Sequence, residues 1–184
     1  MAVGVLALQG AFIEHERMLG RLGQTCVELR DASDLQVGFD RLVLPGGEST
    51  VQLKLLRERG MLEPLRERIA DGMPVLGTCA GLILLASEVV GGEVAFGTID
   101  CRVRRNAYGR QLASFHATAP LAGIGDVPMT FIRAPYVEEV GDGTQVLATV
   151  DDRIVAVRCG SQLGLAFHPE LDADTRLHEL FLAL

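Results

Sequence analysis

Short apolar runs alternate with amphipathic stretches along the first half of the chain. Val3 to Leu8 is β-branched and leucine-rich and predicts a strand. Phe12 to Leu22 sets Phe12, Ile13, Met18, Leu19 and Leu22 among Glu14, His15, Glu16 and Arg17. That spacing predicts an amphipathic helix, closed by Gly23. Thr25 to Leu29 and Leu42 to Leu44 predict strands, and 51–59 and 63–70 predict helices. Pro74 to Leu76 predicts a short buried strand that enters the turn Gly77-Thr-Cys-Ala-Gly81, and Leu82 to Ala86 suits a buried helix. The second half is strand-rich: Ile99–Arg104, Gln111–Ala117, Met129–Ile132, a hairpin of Val146–Val150 with Ile154–Val157, and Leu163–Phe167. Asp172 to Leu184 predicts a terminal helix with Leu177, Leu180, Phe181 and Leu184 on one side. His15 and His178 fall on helix faces and are expected in solvent. Repeated βα units followed by strands imply an α/β fold: three layers (αβα), with a mixed, mostly parallel sheet and helices on both faces.

Composition narrows the class. With 184 residues, no repeat and no linker, one domain spanning 1–184 is expected. Hydrophobic residues make up 48% of the chain, enough for strands buried on both faces. No apolar run reaches the roughly 18 residues of a membrane span, and the first residues lack the basic region of a signal peptide. A net charge of −7 argues against nucleic acid as the main partner. Cys26, Cys79, Cys101 and Cys159 are far apart and form no C-x-x-C. Neither a metal site nor a disulfide framework is expected, and a cytoplasmic location is.

Three stretches carry candidate chemistry. In Gly77-Thr-Cys-Ala-Gly81, glycines flank a nucleophile between strand and helix, the nucleophile-elbow pattern with Cys79 in the serine's place. The helix start favours thiolate and sets the Ala80 N–H as an oxyanion donor. Taken alone, G-x-C-x-G is more often a buried small residue. The second stretch, Pro45-Gly-Gly-Glu-Ser-Thr50, also follows a strand, and in a parallel sheet both loops share the carboxyl edge where ligands bind. In the third, Pro169 holds His168 extended, so His168 and Glu170 share a side. Cysteine, histidine and carboxylate together form a complete nucleophilic unit. Arg105 and Arg133 are either cations for a substrate carboxylate or solvated surface.

The combination of Gly77-Thr-Cys-Ala-Gly81, Pro45-Gly-Gly47 and His168-Pro-Glu170 resembles class I (triad-type) glutamine amidotransferase domains. Further blocks narrow the resemblance: Leu6-Ala-Leu-Gln-Gly-Ala11 with Glu14-His15, Pro45 to Thr50, Arg105-Asn-Ala-Tyr-Gly-Arg-Gln111 with Ser114-Phe115, Phe131 to Pro135, and Phe167 to Leu171. They are similar to the glutaminase subunits of pyridoxal 5′-phosphate synthases. The chain departs from that family in ending early, at Leu184, and in carrying His116 where a carboxylate is expected.

The resemblance implies hydrolysis of L-glutamine to glutamate and ammonia, without a cofactor. The ammonia would pass to a separate synthase subunit for pyridoxal 5′-phosphate (vitamin B6) biosynthesis. Cys79 would be the nucleophile, with His168 and Glu170 as its relay. Gly47, Glu48, Ser49, Arg105, Ile132 and Arg133 would line the glutamine site. Gly47 and Ala80 would supply the oxyanion N–H groups, and Gln9 would lie near the partner surface. The Gly46–Gly47 peptide can reorient at little steric cost, so the isolated chain is expected to be a poor glutaminase that its partner switches on. Rival readings are a glutaminase subunit serving another acceptor, such as an imidazole-glycerol-phosphate synthase, a non-catalytic binding protein on the same fold, and a cysteine peptidase.

Overall fold

The computed structural model describes residues 2–105 and 114–184. Twelve strands are described: β1 (Ala2–Leu6), β2 (Thr25–Leu29), β3 (Arg41–Leu44), β4 (Val75–Thr78), β5 (Ala86–Val90), β6 (Ile99–Arg104), β7 (Ser114–Leu121), β8 (Gly125–Ile132), β9 (Tyr136–Val140), β10 (Thr144–Val150), β11 (Arg153–Cys159) and β12 (Gln162–Leu165). Five helices accompany them: α1 (Phe12–Arg21), α2 (Ser49–Glu58), α3 (Leu62–Ala70), α4 (Ala80–Leu85) and α5 (Arg176–Leu182).

Ten strands form one mixed sheet in the order β2-β1-β3-β4-β12-β11-β9-β6-β5, with β10 paired to β11. From β2 to β12 every pairing is parallel. Beyond β12 the pairings β12–β11, β11–β9 and β9–β6 are antiparallel. Every residue of β4 and β12 is buried. Successive strand residues point to opposite faces, so both faces of the sheet centre are covered. The architecture is the α/β arrangement that the alternation of strand and helix implied.

The register sets the geometry of the site. Val5 pairs with Val43, Leu44 with Gly77, and Thr78 with Leu165. The loops that follow β1, β3, β4 and β12 therefore leave the sheet side by side, at the carboxyl edge where ligands collect in such folds.

Several expected elements differ. Ala86–Val90 and Tyr136–Val140 are strands that periodicity did not single out. The former continues directly from α4, which is only six residues long. The strand placed at Gln111–Ala117 is observed at Ser114–Leu121, and it forms a separate hairpin with β8. Most of the Arg105–Gln111 block lies outside the described residues. The terminal helix begins at Arg176, not Asp172. Asp172 is extended and its carboxylate accepts from the Thr130 hydroxyl, while Asp174 clamps the Arg176 guanidinium, so this stretch is tied down before the helix starts.

Candidate active site

The elbow glycines are fixed by close packing. A Cβ on Gly81 would stand 2.0 Å from the Leu44 carbonyl oxygen, and one on Gly77 would stand 2.8 Å from the Gly81 backbone. The turn between β4 and α4 thus lies against both β3 and itself. Cys79, at its apex, has φ 49° and ψ −98°, a conformation non-glycine residues rarely hold without a functional reason. Its N–H donates to the Leu165 carbonyl of the adjacent strand at 2.8 Å. Ala80 opens α4, and its N–H is one of the first-turn donors that a helix leaves unpaired.

His168 leaves β12 beside this turn. Its backbone N–H donates to the Thr130 carbonyl at 2.8 Å, so the β7–β8 hairpin holds the histidine from outside the main sheet. The same hairpin ends at Ile132, whose carbonyl lies 3.8 Å from the Cys79 sulfur. His168 Nδ1 lies 2.7 Å from Glu170 Oε1. The sequence placed both residues on one extended segment. Instead Pro169–Leu171 is a 3-10 turn with Pro169 in its first turn, and that turn folds the carboxylate back onto the ring.

Nδ1 donates to the carboxylate, which leaves Nε2 for the sulfur. Burial disfavours a charged His168 ring. Hydrogen bonds to the Cys79 sulfur and to Glu170, together with their charges, outweigh it and lift His168 to about 10. Burial likewise opposes ionisation of Glu170. The neighbouring His15 ring and the bond to His168 reverse that and hold its carboxyl below the usual range. Burial pushes the thiols of Cys26 and Cys101 up to about 11 and about 12. All four cysteines are free.

The glycine loop after β3 packs on the histidine. A Cβ on Gly46 would stand 2.2 Å from His168 Cε1. The loop is anchored at both ends of Gly46. Its N–H donates to Thr78 Oγ1 at 3.1 Å, and its carbonyl accepts from the Ala11 N–H at 3.0 Å. The trans peptide therefore turns the Gly47 N–H away from the β1–α1 turn. Reorienting that peptide requires breaking the Ala11 bond. Gln9 braces the same loop through its side-chain oxygen, which accepts the Glu48 N–H at 2.8 Å. Gln52 Nε2 donates to the Gln9 and Pro45 carbonyls.

A cavity of about 380 Å³ opens over the sulfur. Its walls include Gly47, Glu48, Ser49, Arg105, Ile132 and Arg133, so all the residues named for the glutamine site converge on it, as does Gln9. The two arginines differ. Arg105 lies 2.7 Å from Glu48 and is already paired. Arg133 has φ 45°, is exposed, and makes no ion pair among the described residues. A larger groove of about 500 Å³ beside α2 shares Ser49, Ile83 and Arg105 with this cavity, and Cys79 is not in its lining.

His15 and His178 correct the sequence reading. Both are fully buried, not solvated. His15 lies three and four residues before the buried Met18 and Leu19, and His178 lies three before the buried Phe181. Their helical spacing on apolar stripes was the signal that could have found them. His116 lies in β7, and its Nδ1 is 3.0 Å from Thr130 Oγ1, apart from the Cys79–His168–Glu170 cluster.

The arrangement provides a nucleophile, a base oriented by a carboxylate, and backbone donors beside a cavity, which suits acyl transfer. Comparisons with known proteins agree with that chemistry. The chain is 58% identical over 183 residues to pyridoxal 5′-phosphate synthase subunit PdxT of Desulfitobacterium hafniense, covering 99% of this chain and 92% of that protein. It is 58% identical to the PdxT of Methanocorpusculum labreanum, covering 100% and 97%. A solved structure described as a glutamine amidotransferase superposes with a TM-score of 0.94 at 45% identity, covering 100% of this chain and 98% of that one. A glutamine amidotransferase from Thermotoga maritima, 16% identical with a TM-score of 0.66 and coverage of 100% and 83%, shares the fold. Residues 5–184 match the SNO glutamine amidotransferase family, and the chain belongs to that family.

Proposed function

We propose that the chain, as a single domain, hydrolyses L-glutamine to glutamate and ammonia through Cys79, His168 and Glu170. The observation that carries the reading is Cys79, held in a rarely populated conformation beside a His168–Glu170 pair 2.7 Å apart. His168 takes the thiol proton, and the sulfur attacks the side-chain amide carbon of glutamine. The Ala80 and Gly47 N–H groups receive the oxyanion. His168 returns the proton to the departing ammonia, which leaves a thioester on Cys79. Water, activated by the same imidazole, then releases glutamate. Arg133 meets the α-carboxylate of the substrate, and Glu48, held by Arg105, lines the same cavity.

The relatives at 53–58% identity are named as subunits of pyridoxal 5′-phosphate synthase. That supports delivery of the ammonia to a separate synthase subunit. Among the described residues no helix is long and apolar enough to cross a membrane. The partner would press on the Gln9–Ala11 turn, which braces the Gly46–Gly47 peptide. One oxyanion donor supplies about 10²–10³ in kcat, so partner contact that turns the Gly47 N–H onto the oxyanion should raise kcat at least about tenfold.

The test is glutamate release from glutamine with and without the cognate synthase subunit, for the parent and for Cys79→Ala. Partner-stimulated release that disappears in the variant is expected. No turnover with the partner present would overturn the glutaminase reading. Normal release by Cys79→Ala would remove the triad, and full activity without the partner would remove the activation.

A further inference from the structure

Behind the carboxylate lies a buried polar chain that the triad does not include. His15 Nε2 is 3.1 Å from Thr78 Oγ1 and 3.3 Å from Glu170 Oε2. His15 Nδ1 is 3.1 Å from His178 Nε2. Thr78 Oγ1 also accepts the Gly46 N–H at 3.1 Å. His15, Thr78 and His178 are all 0% exposed. Among the described residues, Glu170 Oε2 receives no aligned hydrogen bond, and His178 Nδ1 has no partner.

These contacts select the proton positions. If His15 carried its proton on Nδ1, it would donate to His178 Nε2, and the His178 proton would sit on Nδ1 with no acceptor. The bare His15 Nε2 would then also face the carboxylate, lone pair against lone pair. Each arrangement leaves one buried donor, the His178 Nδ1–H or the Thr78 hydroxyl, without an acceptor among the described residues, so the lone pair set against the carboxylate decides against the first. The consistent arrangement has His178 Nε2–H donating to His15 Nδ1, and His15 Nε2–H directed at Thr78 Oγ1 and Glu170 Oε2. Both rings are then neutral, in keeping with burial, which lowers His15 and takes His178 to about 3. The groups facing His15 are Glu170 and His168 after β12, Thr78 at the end of β4, His178 on α5, and its neighbour Glu14 on α1.

We infer that His15, backed by His178, is a positioning residue that joins the relay to the oxyanion loop. Its one N–H bonds the Thr78 hydroxyl that holds Gly46, and at 3.3 Å from Oε2 it holds the Glu170 carboxylate electrostatically at the oxygen His168 does not use. A single ring thus sets both the orientation of the base and the placement of the Gly46–Gly47 peptide. The inference rests on the glutaminase reading and adds a residue to that site.

Leucine and glutamine at position 15 separate the donor from the packing. His15→Leu removes the donor, while His15→Gln puts an amide N–H near the position of Nε2. Thr78→Val removes the hydroxyl, and Thr78→Ser keeps it. Glutamine turnover is measured for all four with the synthase subunit present. His15→Leu and Thr78→Val are expected to lose about 10- to 100-fold in kcat with KM within about threefold, as for a displaced catalytic group. In His15→Leu the acid limb of the kcat/KM profile should move to higher pH, because Glu170 has lost the neighbouring N–H dipole that favours its charged form. His15→Gln and Thr78→Ser should recover most of the activity. A folded His15→Leu with parental kcat and pH profile would overturn the inference, as would a Thr78→Val as active as Thr78→Ser. If His15→Leu does not fold, the threonine pair decides. Absence of turnover in the parent would instead overturn the glutaminase reading.

Discussion

Replacing Gly46 by alanine tests the site at its tightest contact. The new Cβ would stand 2.2 Å from His168 Cε1 and 2.9 Å from Nδ1. Ordinary contact begins near 3.4 Å, so ring and loop must separate by about 1.2 Å. The loop cannot supply all of that, because Gly46 is pinned to Thr78 on one side and to Ala11 on the other. The imidazole takes up the remainder, against a 2.7 Å bond to Glu170 that tolerates little displacement. A misplacement near 1 Å lowers the rate about 100-fold, which is about 2.7 kcal/mol in the barrier. Overpacking a buried site also destabilises the fold by about 1–3 kcal/mol. Steady-state glutamate release with the synthase subunit present should therefore show kcat down about 100-fold. KM should change less than kcat, since the three atoms nearest the new methyl all belong to His168 and not to Arg133 or Glu48. Gly20→Ala is the control. Gly20 lies in α1, and a methyl added there would have nothing within 4 Å, so alanine should leave kcat unchanged and add about 0.5–1 kcal/mol of stability. A Gly46→Ala enzyme within twofold of the parent would show that the imidazole is not held where this packing puts it.

The arginines should separate kinetically: Arg133→Ala is expected to raise KM about tenfold with little change in kcat, and Arg105→Ala to raise it less, because Arg105 is already paired with Glu48. Equal effects on KM would remove the distinction. Stability should fall in mild acid. His178 ordinarily titrates near 6.5 and is lowered to about 3 by burial, so between those values the unfolded chain binds a proton that the folded chain does not. Stability from this group is thus complete above pH 6.5 and lost as pH falls, by about 2 kcal/mol at pH 5 at roughly 1.4 kcal/mol per pH unit. His15 acts in the same direction. Urea unfolding at pH 7 and pH 5 should give a pH slope shallower by about one proton in His178→Gln than in the parent, and equal slopes would refute the assignment.

What the sequence determined by itself is what depends on neighbours along the chain. Strand–turn–helix periodicity fixed the α/β class, and Gly77-Thr-Cys-Ala-Gly81 fixed the elbow, because both are short-range backbone requirements. His168 and Glu170 were legible as a pair for the same reason, although a 3-10 turn, not an extended segment, joins them. Tertiary structure alone decided the rest. The parallel register of β1, β3, β4 and β12 brings Gln9, Gly46, Cys79 and His168 to one edge, and no local pattern encodes register between strands far apart in sequence. The support of His168 by Thr130 comes from a hairpin outside the main sheet. His15 and His178 looked like solvated helix residues because histidine reads as polar. Helices α1 and α5, 163 residues apart at these positions, meet and bury both rings, and each finds in the other the hydrogen-bond partner that a buried imidazole requires.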